Sequence, residues 1–337
     1  PPTIVLHVYG RDAEGKAIDF TTEELRLTSN GTAVVPSITD SFPVGTFTVF
    51  LIDIPTGVEE QLPAIQDAIK QFASPGSGMQ EQIDYIAIFQ VGESGATQLL
   101  PPDNFYNSVQ NFFVDDLAPE TEATALIDSI VSVLDQVEEL NPNPEMVSSV
   151  VVMSDGTDVV STLNEPSDII TRTASLNMPI HTIWVDSTDL TFDGQQQGQA
   201  FLQEISDSSY GVATTLDNSE GLAEIWQHIA GFRERARVRY IIDDLTGGSF
   251  DVELSLASDP AISDSMFVEM PENQPQVDLM LPPGSDTITL PNLEEPLPVR
   301  LGATVTWLDG LDRGVSSVRV LVNGQDVGEV LVEEMDD

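Results

Sequence analysis

The chain has 337 residues, enough for two or three domains, and 41% of them are hydrophobic, a globular share. Its 56 Asp and Glu face 12 Lys and Arg, a formal net charge of −44 that repels phosphate backbones and anionic lipid and excludes nucleic-acid and direct membrane-surface binding by this segment. With no cysteine, disulfides, thiolate metal sites and a cysteine nucleophile are excluded too, while the redox compartment stays open.

In chain order, Thr3–Tyr9 reads as a strand, and short alternating pieces at Leu25–Thr28 and Ala33–Ile38 flank the hairpin signal Asn30-Gly31. These pieces, residues 1–44, make a small β unit. The pattern changes at Phe47–Ile52, an almost continuous apolar run suited to a strand buried on both faces. Val58, Leu62, Ile65, Ile69 and Phe72 form one helical stripe, and Thr56 with Glu59 has the form of a capping box at its start. A strand at Ile83–Phe89 and weak strand signals to Phe113 follow, then a helix from about Thr124 to Leu140.

Val150–Met153 and Ile180–Val185 are buried strands, Tyr210–Thr214 an edge strand. Helices are expected around Ile169–Leu176, Phe201–Ile205 and Leu222–Phe232. Alternation of this kind over residues 45–232 predicts a parallel, doubly wound α/β sheet. The β pattern returns at Val238–Ile242 and Phe250–Leu256, read here as strands (residues 233–262) that pair with the N-terminal unit, so that the α/β domain is inserted into a β-sandwich. After a linker at Pro271–Pro275, the strand-like pieces of residues 275–337 predict an immunoglobulin-like sandwich that is incomplete within this chain.

In an open parallel sheet, ligands bind beyond the carboxyl ends of the strands, where strand order reverses. Two buried strands end there in an aspartate, Asp53 and Asp155, and paired carboxylates with a nearby threonine suit a hard cation such as Mg²⁺ or Ca²⁺. The same two groups also read as loop caps at the crest of the sheet.

Four segments in order resemble the von Willebrand factor A (VWA) domain. Val150–Asp158 is similar to the family's VVLLTDG-x-D strand, and Thr124–Ile130 to its T-x-L-x-D-A-L helix start. Ala200–Tyr210 and Leu222–Phe232 resemble its closing L-x-x-I-A-x-x-x-G-G-x-Y and L-x-x-I-F segments. The resemblance spans about residues 45–232, and the flanking β segments resemble immunoglobulin-like modules that accompany VWA domains in bacterial surface proteins. It implies a metal-ion-dependent adhesion site, in which a D-x-S-x-S loop, a threonine and a second aspartate hold the ion and a partner's carboxylate completes the shell. Asp53 matches the first aspartate, Asp155 the last, and Thr124 the threonine, with Thr121 as the alternative register. The two serine positions hold Pro55 and Gly57, which offer no hydroxyl. The implied site is degenerate, with no cofactor or only weakly held Mg²⁺ or Ca²⁺.

Asp186, Asp189 and Asp193 with Gly194 form an acidic loop after a strand that reads either as a Ca²⁺ holder or, since it lacks EF-hand order, as a solvated loop, the reading its spacing favours. Arg233, Arg235, Arg237 and Arg239 put four of the twelve cations at alternating positions, one face of a strand. They read as a docking stripe for an acidic partner or as internal partners of the chain's own carboxylates. Catalysis has little support. His7, His181 and His228 are far apart, neither a nucleophile elbow nor a phosphate loop occurs, and Trp184, Trp226 and Trp307 fit core anchors. No run approaches the ~20 apolar residues of a spanning helix, and the start at Pro1-Pro2 reads as the remainder after a signal segment.

The expectation is a non-enzymatic extracellular or cell-surface protein of VWA type that binds a protein partner or assembles with itself, any membrane anchor lying outside these residues. Two other readings stay open. One is a metal-dependent adhesin, with Thr56 or water filling the serine gap; the other is a carboxylate-dependent hydrolase of envelope polymers.

Overall fold

A computed structural model describes residues 3–20, 24–112, 124–241, 248–270, 276–280, 302–306, 318–322 and 325–330. Four strands come first: β1 (Thr3–Val8), β2 (Leu25–Ser29), β3 (Thr32–Val34) and β4 (Ser37–Pro43). Asn30 and Gly31, with φ of 48° and 73°, make the tight turn that pairs β2 with β3.

The central sheet is built from β5 (Thr46–Ile52), β6 (Tyr85–Gly92), β7 (Gly95–Asp103), β8 (Val147–Ser154), β9 (Ile180–Trp184) and β10 (Ala213–Thr215). Their spatial order is β10-β9-β8-β5-β6-β7. All pairings are parallel except that of β7 with β6. A wholly parallel sheet was expected from the alternation of elements. The edge is antiparallel because only Glu93 and Ser94 separate Gly92 from Gly95, and two residues can join strands only as a hairpin. Among the described residues six helices pack around the sheet: α1 (Leu62–Phe72), α2 (Tyr106–Gln110), α3 (Leu126–Leu140), α4 (Pro166–Leu176), α5 (Phe192–Ser208) and α6 (Ser219–Gly231).

Side-chain alternation on β5 and β8 divides the interior into two layers. Phe50, Ile52, Val151 and Met153 face α1 and α6, where the Phe50, Phe72 and Trp226 rings meet at centroid distances of 5.0–5.9 Å. Phe47, Val49, Leu51, Val150 and Val152 face α3, α4 and α5. Strands so buried on both faces explain why β5 reads as an unbroken apolar run.

Three further strands follow the last helix: β11 (Glu234–Ile241), β12 (Gly248–Leu256) and β13 (Ser263–Met270). β11 lies between β1 and β4, antiparallel to both, and β12 lies between β2 and β13. The two sheets enclose Leu6, Leu25, Leu27, Val238, Tyr240, Phe250 and Val252. The chain thus enters and leaves the central α/β unit at one neck. There Val44 N–H and Gly45 N–H both donate to the Arg233 carbonyl, at 2.9 and 3.0 Å. Beyond it, β14 (Gln276–Met280) pairs with β15 (Gly302–Thr306), and β16 (Val318–Val322) with β17 (Gln325–Val330). Trp307, the 271–275 linker and Thr121 lie outside the described residues.

Candidate functional site

Strand order reverses between β5 and β8, so their carboxyl ends form the crest where a crevice opens. Ile52 stands opposite Met153, and Asp53 N–H donates to the Met153 carbonyl at 2.9 Å, which sets Asp53 and Asp155 on the same rim. Asp53 is wholly buried. Its Oδ2 accepts from the Ser154 hydroxyl at 2.6 Å, and Thr124 donates to the same carboxyl. Burial pushes its pKa up to about 7, against the pull of those two hydroxyls; the Asp155 and Asp158 carboxylates add to the rise. Its other oxygen, Oδ1, is buried without a hydrogen-bond partner among the described residues. Asp155 is also buried, with Oδ1 accepting from the Thr157 amide at 2.9 Å and hydroxyl at 2.7 Å.

The loop after Asp53 differs from the sequence expectation. Thr56 does not cap the helix. The first turn is a short 3-10 segment over Glu59–Gln61, and Glu59 reaches back instead to accept from Gly57 N–H at 2.8 Å. Pro63 in the first turn of α1 lets the α-helix begin only at Leu62. Gly57 has φ of +92°, and a Cβ there would lie 2.8 Å from Ser187 Oγ and 2.9 Å from Asp189 N. The backbone of this loop therefore has no room for a side chain where the implied metal site has its second serine.

Ser187, just beyond β9, occupies that space. It is 1% exposed, and its hydroxyl has no partner among the described residues. Together with Thr124, Asp155 and Thr157 it lines a cleft of about 230 Å³, walled by Pro55, Thr56, Val159 and Leu190, with Asp189 at the margin. Val159, in the wall of this cleft, is an exposed apolar side chain (76%); Leu163 (79%) lies further along the loop that follows β8, and Phe192 (71%) opens α5.

Two more carboxylates hold the crest in shape. Asp158 accepts from the Ile127 amide at the start of α3 (2.7 Å) and from the Ser161 amide (3.0 Å). Asp128 accepts from the amides of Thr162, Leu163 and Asn164 and from the Asn164 side chain. Burial alone would raise the Asp128 pKa, but these bonds outweigh it and hold the carboxyl below its ordinary range. Sequence reasoning missed Asp128, Asp158 and Ser187 as crest residues. Asp128 stood in the T-x-L-x-D pattern and gave a signal; Ser187 gave none.

The remaining candidates are dispersed. Asp186 Oδ1 accepts from Gln195 Nε2 at 3.0 Å, Asp193 lies in the first turn of α5, and Asp189 borders the cleft. Among the described residues no three acidic or histidine side chains are grouped to hold a metal ion. Arg233 precedes β11 and pairs with buried Asp84 at 2.7 Å. Arg235 is buried, donates to the Phe232 and Glu145 carbonyls, and sits 4.2 Å over the Tyr9 ring. Arg237 pairs with Asp40 at 3.0 Å, and Arg239 is exposed. His181 and His228 stack edge-to-face at 4.9 Å, and the His181 ring accepts from Val212 N–H at 3.1 Å. His7 lies elsewhere, beside Glu145.

Residues 48–228 match the profile of the von Willebrand factor type A domain. Solved structures with a similar fold include proximal thread matrix protein 1 from the mussel byssus, at 15% identity and a TM-score of 0.39, covering 56% of this chain and 48% of that one. The manganese-loaded Plasmodium vivax TRAP protein has 11% identity and a TM-score of 0.40, covering 73% and 98%. The three N-terminal domains of the type V pili tip protein Mfa5 from Porphyromonas gingivalis have 10% and 0.40, covering 82% and 79%. This chain spans about half the length of the mussel thread protein. No curated protein matches it.

Proposed function

The chain belongs to the von Willebrand factor type A domain family, and from that premise we propose that it is a non-enzymatic protein-binding module whose crest meets its partner without a bridging metal ion. The observation that carries this reading is the β5–α1 loop. Family members that hold an ion draw on two serine hydroxyls, and here Pro55 has none while Gly57 has no space for one beside Ser187 and Asp189. Mg²⁺ demands near-octahedral oxygen geometry at short range, so Asp53, Thr124 and Asp155 alone are a poor set for it. Most of their polar atoms are already bonded to one another and to neighbours, Asp53 Oδ2 to Ser154, the Asp53 carboxyl to Thr124 and Asp155 Oδ1 to Thr157, with Asp53 Oδ1 left without a partner among the described residues. Exposed Val159, Leu163 and Phe192 supply apolar area of the kind that partner surfaces cover.

We place this module in a β-sandwich formed by residues 1–44 and 233–262, to which β13 adds a further strand, with 45–232 as the inserted domain and an immunoglobulin-like unit over 275–337. An extracellular or cell-surface setting suits a carrier of such acidity, which stays solvated and repels non-specific partners of its own sign. Calorimetric titration of the full chain with Mg²⁺ and Mn²⁺ tests the reading. It expects no stoichiometric, tight heat of binding, whereas tight one-site binding that Asp155→Ala abolishes overturns it.

A further inference from the structure

In a metal-bearing site of this kind the ion reverses the local sign, so that an acidic crest can accept a partner's carboxylate. Without the ion the crest remains negative. We infer that the cleft between the ends of β5, β8 and β9 takes a cationic side chain, lysine or arginine, from the protein partner. This rests on the reading that the crest binds protein without a metal.

Three observations carry it. The buried Asp155 and the exposed Asp189 put carboxylates on the lining and at the margin of one cleft of about 230 Å³. The Ser187 hydroxyl also lines this cleft, 1% exposed and without a partner among the described residues. A buried hydroxyl left unmade costs free energy that a donor from outside recovers. An ammonium carries three N–H donors and a guanidinium five, and neither brings an acceptor, which matches a lining of oxygen acceptors. The walls are the third observation. Pro55, Val159 and Leu190 offer apolar surface on which the methylene stem of a long cationic side chain packs while its charged end reaches inward. An incoming carboxylate would meet Asp155 and Asp189 with like charge and no compensating ion. The chain's net charge of −44 steers basic partners toward it and acidic ones away.

The test is a set of titrations of the ¹⁵N-labelled full chain followed by amide chemical shifts, with Nα-acetyl-lysine methylamide, N-acetyl-norleucine methylamide, which keeps the four-carbon stem but lacks the ammonium, and MgCl₂ as separate probes. The inference expects saturable shifts at Thr56, Thr157, Ser187 and Asp189 with the lysine amide, weakened by salt, and none with the norleucine amide. Asp189→Asn, an exposed change that leaves the fold untouched, weakens the lysine amide about two- to fivefold, the size of one partly exposed charge pair. Ser187→Ala weakens it further. Equal shifts from both amides overturn the cationic inference and leave the metal-free crest reading standing. No shift from either amide overturns the inference alone. Mg²⁺ that shifts the same amides at lower concentration and displaces the lysine amide overturns both.

Discussion

The neck between the two units supplies the sharpest stability prediction. Asp84, 1% exposed at its side chain, accepts from Thr46 N–H at 2.9 Å, Gln80 N–H at 2.6 Å, and Arg233 Nε and Nη2 at 2.9 and 2.7 Å. Arg233, 18% exposed, donates as well to the Gly78 carbonyl. Asp84→Ala leaves two backbone donors and a guanidinium without their acceptor, and removing one partner of a buried pair costs about 3–5 kcal/mol. Arg233→Met strands a carboxylate that keeps its two backbone bonds, so its cost is smaller. In Asp84→Ala/Arg233→Met the stranded charge is gone. The double variant therefore recovers about 0.5–3 kcal/mol relative to the sum of the singles, the usual range for contacting residues. Urea unfolding followed by circular dichroism reads all four proteins. Asp84→Ala within about 1 kcal/mol of the parent, or strict additivity of the pair, refutes the argument that this cluster holds the neck.

Further outcomes follow from the crest and the histidine stack. Gly57→Ser does not create a Mg²⁺ site, because its Cβ meets Ser187 and Asp189 at a positive φ. It lowers stability by about 1–3 kcal/mol, and Mg²⁺ titration and thermal melting check both halves. Asp128→Ala frees the Thr162–Asn164 amides. Hydrogen exchange there rises while exchange in β8 stays slow, and uniform exchange would contradict this. His181 is held well below its ordinary pKa and His228 below it, in each case chiefly by burial. A base lowered on folding contributes stability that is complete above the unfolded pKa of 6.5 and is lost as pH falls below it. His228→Gln therefore flattens the decline in melting temperature below pH 6.5, and an unchanged slope would sink the assignment.

The central unit was legible because its signals are short-range. Strands buried on both faces must be continuous apolar runs, and α3 and α6 bury one stripe at helical spacing, so Phe47–Ile52, Val150–Met153 and Leu222–Phe232 were apparent from the sequence. Asp53 and Asp155 could be named because the first directly follows such a run and the second follows another after a single serine. What failed to show depends on contacts between distant residues. Ser187 is 130 positions from the glycine whose space it fills, and no spacing rule joins them. The first half of α5, Phe192–Gln199, is polar apart from an exposed Phe192 and buries only Gly198, so it carries no stripe; the Thr191 cap, accepting from Gly194 N–H, marks its start. The Thr56 capping box failed for the opposite reason: a correct local pattern gave way to a loop whose path is set by Pro63 and by packing on the β9 loop.

The pairing of β1 with β11 also decides how the molecule carries tension. Thr3 stands opposite Ile241 and Val8 opposite Ala236. A pull that separates Thr3 from Ile241 therefore loads the ladder one rung at a time, a zipper and not a shear. The two crossings of the neck are tied to each other through a single carbonyl, that of Arg233, which accepts from Val44 and Gly45 N–H, so the α/β unit hangs beside this load path. While the sandwich peels, the crest of the α/β unit stays unstretched.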